Sequence, residues 1–390
     1  MSKDLSKRTL LVISDSMVYK EKDGTYSAFE PVVREMEGLC KIFDEIIWLG
    51  SISKIRTHAL TVPKSDKIKI VPITSTFKYT GFINKLYILL HYPIFIYTIL
   101  KYISKTKYVH SRAPSHPAII AIIYSLYDRK RKYWHKYAGN WAEVDPPRQY
   151  KVQRSMLKKA HYDNIKVTVN GAWGDKDHVY AFENPCIYER ERIAAASSAA
   201  AKNYRGDLTM IFVGSIAYPH KGILKILDAI EQDLIPDRIK TLYIVGNGIL
   251  KGEIERRIAY ITNMEVVLLG HMNRIQLDEY YKKSHVIILP TIASEGFPKV
   301  IAEGAAYGCI PVVTGISALP QYIKDEQNGF IIKSQSPEDI SDALYRLVNS
   351  AKIEEISNNA IEMAKRFTYE YYTDRIKNDI FNMPDASIEQ

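Results

Sequence analysis

The sequence predicts an α/β protein built from two doubly wound, mostly parallel sheets, and three observations carry that expectation. Short β-rich apolar runs alternate with helical patterns along the whole chain, which is how parallel strands joined by helical crossovers read. Several strands of the second half close on a glycine at a strand-to-helix turn. The 390 residues suffice for two domains, each with its own core. Open sheets of this kind bind ligands at the carboxyl ends of their strands, so two in tandem predict a cleft between domains.

In the first half the expected strands run from Thr9 to Asp15, Glu45 to Ile52, Ile68 to Ile73, Tyr108 to Ala113, Lys132 to Ala138 and Lys166 to Asn170, with helices between most of them. The second half repeats the pattern at Met210 to Gly214, Thr241 to Gly246, Glu265 to Gly270, His285 to Pro290, Ile310 to Gly315 and Phe330 to Lys333. Between the series, Glu189 to Gly206 holds the tract AAASSAAA, compatible with a helix but lacking an apolar stripe wide enough for a core. The domain boundary is expected just before it, giving domains 1–184 and 185–366 and a final segment 367–390.

Hydrophobic residues at 46% and charged ones at 25% argue against bulk disorder and against a polytopic membrane protein. Cys40, Cys186 and Cys309 are too few and too scattered for a disulfide framework or a zinc site. MSKDLSKRTLLVISD has no signal-peptide pattern, so a cytoplasmic location is expected. Charge is uneven: 30 Lys and Arg stand against 16 Asp and Glu up to residue 180, and 23 against 28 beyond it. A basic first half suits an anionic partner: nucleic acid, a membrane face or a phosphate-bearing substrate.

Between Lys85 and Lys101 lies an uncharged stretch rich in Leu, Ile, Tyr and Phe, interrupted by His91 and Pro93. It is shorter than the roughly 20 residues of a spanning helix. Two readings fit it: a core helix, or a membrane-docking element flanked by lysines and interleaved with aromatics, which would place the chain peripherally at the inner membrane face. Arg129 to Lys132, and Lys151, Arg154 and Lys158 at helical spacing, read either as solvated surface or as attraction to anionic headgroups.

The most informative stretch is Ser294-Glu295-Gly296-Phe297-Pro298-Lys299-Val300-Ile301-Ala302-Glu303, after the apolar run HVIILP. Pro298 suits the first turn of a helix, and that helix ends at Gly308. Its first amides, near Phe297 to Val300, and its dipole favour an anion such as a diphosphate. Glu295 and Glu303 bracket this point, separated by about 12 Å at the helical rise, comparable to the span from a sugar to a ribose across a diphosphate.

Here the sequence resembles the retaining glycosyltransferases of family 4, of GT-B architecture. The resemblance rests on EGFP-x-V-x-x-E at Glu295 to Glu303, FVGS with Lys221-Gly222 after it, LYIVGNG, VVLLGHM, HVIILP and CIPVVTG with ALPQYI and NGFII following. It implies that Glu303 holds ribose hydroxyls, that Glu295 contacts the transferred sugar, and that the backbone from Gly296 through Phe297, Pro298 and Lys299 to Val300 binds the distal phosphate and sugar. Gly214, Ser215 and Gly246 complete the donor site, and Lys221 stabilises the departing diphosphate. Ser215 stands where many relatives have Arg, which puts a second phosphate cation in doubt and leaves Lys299 as substitute. The same likeness implies an acceptor-binding first domain, a final helix returning to it, retention of configuration, and a saccharide or lipid-linked saccharide acceptor in surface polysaccharide synthesis. No cofactor, no metal and no nucleic acid is expected.

Acceptor-side residues are weaker. Gly24 and Thr25 lie in a turn, Lys22 to Ser27, expected to lead into a helix near Ala28. His110 and Arg112 share a strand face and either could reach a sugar, although Arg cannot act as a base near neutral pH. Lys136 and Trp141 follow in HKYAGNW. Gly246-Asn247-Gly248 with Gly252, and Glu265 further on, imitate a dinucleotide fingerprint, but the spacing is G-x-G-x-x-x-G. Rival readings are another GT-B sugar-nucleotide enzyme such as an epimerase, and a basic binding protein without catalysis. The second leaves the glutamates unexplained and carries no nucleic-acid motif.

Overall fold

Each expected strand is present in the structure, a computed structural model describing residues 7–57, 59–74, 81–142, 147–173, 176–293 and 296–384. The chain divides into two units, Met1–Glu183 with Tyr369–Gln390, and Asn184–Thr368.

The first unit runs β1 (Thr9–Lys20), β2 (Tyr26–Phe29), α1 (Glu30–Leu39), β3 (Glu45–Ser53), β4 (Leu60–Thr61), β5 (Ile68–Ile73), α2 (Gly81–Ile103), β6 (Tyr108–Ala113), α3 (His116–Ser125), β7 (Lys132–Tyr137), α4 (Arg148–Lys159), β8 (Ile165–Asn170) and β9 (Val179–Phe182). β5, β3, β1, β6, β7, β8 and β9 lie side by side in parallel. Strand alternation explains the two cores. Leu10 and Val12 of β1 pack with Val32, Met36 and Leu39 of α1, whereas Leu11 and Ile13 meet Phe95 and Ile99 of α2.

One expectation fails at β1. The strand does not stop at Asp15, and a short strand, β2, stands between the Lys22–Ser27 turn and the helix expected near Ala28, which begins at Glu30. β1 continues to Lys20 and turns back through an antiparallel β2, pairing Val18 with Ala28 and Lys20 with Tyr26. Both Val18 and Ala28 are fully buried, so pairing there protects apolar surface. The Asp23 carboxylate closes the turn by accepting from Thr25 N and Oγ1 at 2.9 and 2.7 Å. Gly24 takes φ +88°, the left-handed region that glycine enters without strain.

The second unit runs α5 (Glu189–Ala199), β10 (Leu208–Val213), a 3₁₀ turn (Pro219–Lys221), α6 (Ile223–Glu231), β11 (Ile239–Val245), α7 (Lys251–Ile258), β12 (Glu265–Gly270), α8 (Arg274–Lys283), β13 (Val286–Leu289), α9 (Lys299–Ala306), β14 (Ile310–Thr314), α10 (Leu319–Tyr322), β15 (Phe330–Ile332), α11 (Pro337–Val348) and α12 (Ile353–Ala364). The small-residue tract begins in α5, which buries only Arg192, Ala195 and Ala199. The parallel sheet is ordered β12-β11-β10-β13-β14-β15. Strand order therefore reverses between β10 and β13, and the loops leaving those two strands flank the crevice where doubly wound sheets take ligands. α13 (Tyr369–Arg375) follows and belongs to the first unit.

Candidate active site

In the second unit the reversal point collects most of the expected donor residues. Gly214 follows β10, and a Cβ built on it would lie 4.0 Å from Lys221 Cδ, so the lysine stem runs back over the strand end. Gly222 follows at φ +85°, where a side chain would stand 2.3 Å from Pro290 O. The turn carrying Lys221 is thereby pressed against the loop after β13. Three donors then fix it through one carbonyl: His220 O accepts from Ile292 N at 2.9 Å, Gln335 Nε2 at 3.1 Å and Thr291 Oγ1 at 3.3 Å. β11 closes in from the other side, since a Cβ on Gly246 would fall 1.9 Å from Gly214 O, and one on Gly248 2.2 Å from Ala217 N. These glycines are required by backbone approach. Glu265 sits at the opening of β12, the opposite edge of the sheet, bonded to Thr241 Oγ1 at 3.1 Å, which removes it as the acid of a dinucleotide fingerprint. Ser215 is exposed and accepts from Ala217 N at 3.3 Å.

Glu295 lies outside the described residues. The segment beyond it shows how the sequence holds α9 in place. Phe297 is buried and stacks on Phe367 at 4.4 Å, edge-on to Tyr322 at 5.0 Å. Its ring belongs to the core, so any ligand contact at Phe297 is made by backbone. Pro298 is the residue before the helix, and its carbonyl receives Ile301 N at 3.1 Å. Lys299 and Val300 open α9, both partly exposed. One turn on, Glu303 Oε1 accepts from Arg274 Nη1 at 3.0 Å. Oε2 of Glu303 has no protein partner among the described residues.

Arg274 is a residue that the sequence did not single out. It opens α8 behind a reciprocal cap, Asn273 Oδ1 taking Gln276 N and Gln276 Oε1 taking Asn273 N, both at 3.1 Å. It also reaches Asp278 Oδ1 at 3.0 Å and Cys186 O at 3.1 Å. Burial works against its charge, but Glu303 and Asp278 more than offset this and hold the guanidinium ionised. No local pattern announces such a partner, because it is 29 positions from Glu303.

In the first unit, Arg112 and Lys136 come together around a carboxylate that the sequence reading also missed. Glu35 of α1 is buried and receives Arg112 Nη1 at 2.9 Å, Lys136 Nζ at 3.0 and 3.1 Å, and the Tyr372 hydroxyl at 2.7 Å. Burial alone would raise the Glu35 carboxyl; Arg112, Lys136 and the Tyr372 hydroxyl overcome it and hold the group far below the usual carboxylate range. A signal was available: Glu35 lies on the apolar face formed by Val32, Val33, Met36 and Leu39, where a lone carboxylate demands partners.

Two acceptor-side expectations are corrected by burial. His110 is fully buried, stacked on Trp134 at 3.6 Å, with Nδ1 3.2 Å from Trp134 O. Burial, with Arg112 nearby, pushes its pKa well below the ordinary value, leaving a neutral ring packed in the core. Trp141 is 1% exposed, edge-on to Tyr137 at 5.2 Å, with its carbonyl taking Arg154 Nη1 at 2.7 Å. Lys136 is likewise committed to Glu35. Gly24 and Thr25 stay exposed at their hairpin tip. Asp15, in the irregular stretch where the β1–β3 register slips, is the unanticipated group here; burial outweighs a backbone hydrogen bond and the nearby Arg112 and leaves its carboxyl raised to about 6.

Comparison with known proteins agrees with this architecture. The family model described as Glycosyl transferases group 1 matches residues 207–350. An uncharacterized glycosyltransferase of Methanocaldococcus jannaschii is 26% identical over 303 residues, covering 76% of this chain and 73% of that one. The UDP-Gal:alpha-D-GlcNAc-diphosphoundecaprenol alpha-1,3-galactosyltransferase of Escherichia coli is 28% identical over 186 residues, 46% of each chain. The chain spans less than half the length of that relative, and 44% of a second M. jannaschii glycosyltransferase. Among solved structures, Anabaena HepE in complex with UDP and glucose superposes with a TM-score of 0.64 at 13% identity, covering 97% of this chain and 100% of that one. Two parallel-sheet α/β units matched over nearly the full length define a GT-B protein. The matched region, residues 207–350, is that of the group 1 glycosyltransferases, and the chain is similar to family 4-type enzymes of that group.

Proposed function

We propose that the chain transfers a sugar, with retention of anomeric configuration, from a nucleoside diphosphate donor held by Asn184–Thr368 to a saccharide or lipid-linked saccharide of surface polysaccharide synthesis. The observation that carries the reading is the convergence at the β10/β13 reversal. There a lysine-bearing turn, two glycine-enforced backbone approaches and the opening of α9 with Glu303 meet at one sheet edge.

In this reading Lys221 faces the diphosphate and stabilises the charge that grows as the glycosidic bond breaks. The amides opening α9 bind the distal phosphate, and Glu303 Oε2 takes a ribose hydroxyl while Arg274 fixes Oε1. Glu295 contacts the sugar. The presence of UDP and glucose in the HepE structure supports a nucleotide-sugar donor. The diphosphoundecaprenol acceptor in the E. coli relative's name supports a lipid-linked one.

The test is a panel of UDP-, GDP- and ADP-sugars, read as slow donor hydrolysis and as a raised melting temperature. One donor class active in both supports the reading; no hydrolysis and no stabilisation by any donor overturns it.

A further inference from the structure

Helix α2 carries no charged side chain from 86 to 100, yet only part of that stretch is buried. Toward its sheet, Ile88, Phe95, Ile99 and Ile103 are 0–6% exposed and pack with Leu11, Ile13 and Val109. Around the rest of the helix, Ile83, Leu86, Leu89, Leu90, Ile94 and Tyr97 are 48–68% exposed. A surface helix of a water-facing domain carries polar side chains there. A contiguous apolar face of this size marks an interaction site.

We propose that this face of α2 lies in the headgroup and outer acyl region of a bilayer containing anionic lipid. Charge selects that occupant. From Lys67 through Tyr127 the sequence contains no Asp or Glu, while Lys101, Lys105 and Lys107 are exposed at the carboxyl end of α2. α3 is joined to α2 through the Tyr92 hydroxyl and His116 Nδ1 at 2.9 Å. It and the turn after it add exposed Ile123 and Tyr127, then exposed Arg129 and Lys130. Asp128, the first carboxylate, is buried against Arg131 at 2.8 Å and the Tyr133 hydroxyl at 2.7 Å, so it does not offset the lysines at the surface.

An apolar centre with a basic, carboxylate-free margin matches apolar tails beneath anionic headgroups. A second copy docking the same face about a two-fold would set lysines against lysines. The window Leu86–Ile103, with mean hydropathy 1.4, is long enough to cross a membrane, but crossing would pull Ile88, Phe95, Ile99 and Ile103 out of the core. The helix therefore lies along the surface. That the docked enzyme then meets a lipid-linked acceptor rests on the transfer reading above; the docking itself does not.

The test is co-sedimentation of the full chain with phosphatidylcholine vesicles and with phosphatidylcholine–phosphatidylglycerol vesicles, at low and high salt. Binding to the anionic vesicles, reduced but not abolished by salt, is expected. Leu90→Glu/Tyr97→Glu should cut partitioning by about tenfold or more at every salt, and Lys101→Glu/Lys105→Glu should remove the preference for anionic lipid. Both variants should keep the wild-type melting temperature and donor hydrolysis in lipid-free buffer.

Absence of wild-type binding at low salt overturns the proposal, as does unchanged binding by Leu90→Glu/Tyr97→Glu. A lipid-indifferent wild-type dimer that this variant turns into a monomer also overturns it, in favour of a copy-to-copy interface. Donor hydrolysis without vesicle binding defeats this inference alone; vesicle binding without hydrolysis defeats the transferase reading alone.

Discussion

Replacing Glu35 with Ala tests how the first unit is held together. The carboxylate is 2% exposed and is shared by Arg112, Lys136 and the Tyr372 hydroxyl, so its loss strands two cations and a hydroxyl. Breaking a buried pair by removing one partner costs about 3–5 kcal/mol, because the remaining charge stays desolvated. At about 2–4 °C per kcal/mol for a unit of this size, the melting temperature should fall by roughly 10 °C. Glu35→Gln should lose nearly as much, since it keeps the shape and removes the charge. A double-mutant cycle with Lys136→Ala should return a coupling of about 1 kcal/mol or more. The sign with pH follows from the lowered carboxyl. Its stabilisation is fully present above the ordinary value of 4.5, where the unfolded chain titrates, and is lost as pH falls below that. Urea unfolding of wild type and Glu35→Gln from neutral to acid pH measures both effects. A loss under about 1 kcal/mol, or equal acid slopes in the two proteins, would refute the reasoning.

Glu303→Ala should weaken donor binding by about 1–3 kcal/mol without unfolding the chain, and unchanged affinity by calorimetry would exclude the ribose role. Arg274→Ala should raise the donor Kd roughly tenfold with a smaller change in kcat, partly restored by Arg274→Lys, because Arg274 acts by holding Glu303. A wild-type Kd in Arg274→Ala removes that positioning role. Lys221→Ala should lower turnover by roughly 10²-fold, and an effect below about threefold would shift the main cation to Lys299. Glu295→Gln should cost more in turnover than in donor affinity, and wild-type kinetics would exclude it from catalysis.

The strand ladder was legible because apolar runs closed by glycine carry their own periodicity, and the gathering at the β10/β13 edge because its residues are clustered along the chain. Lys221, Gly246 and the 296–303 segment each follow a recognisable strand, so a local pattern places them at one sheet edge. Glu35 and Arg274 escaped because their importance is set by partners 77 and 29 positions away. His110 was misjudged for a related reason: strand alternation gives its face, but not that Trp134 covers that face. The β1 extension was missed because Asp15 resembles a strand terminus, while Val18 and Ala28 gain burial only after the hairpin forms.

The most direct measurement is a nuclear magnetic resonance time course of the wild-type chain with its best donor sugar. The account predicts release of nucleoside diphosphate together with a sugar first formed in the donor's own anomeric configuration, both slowed by Lys221→Ala. Release of the diphosphate with the inverted anomer would contradict retention. No diphosphate release from any donor would contradict glycosyl transfer at the β10/β13 edge.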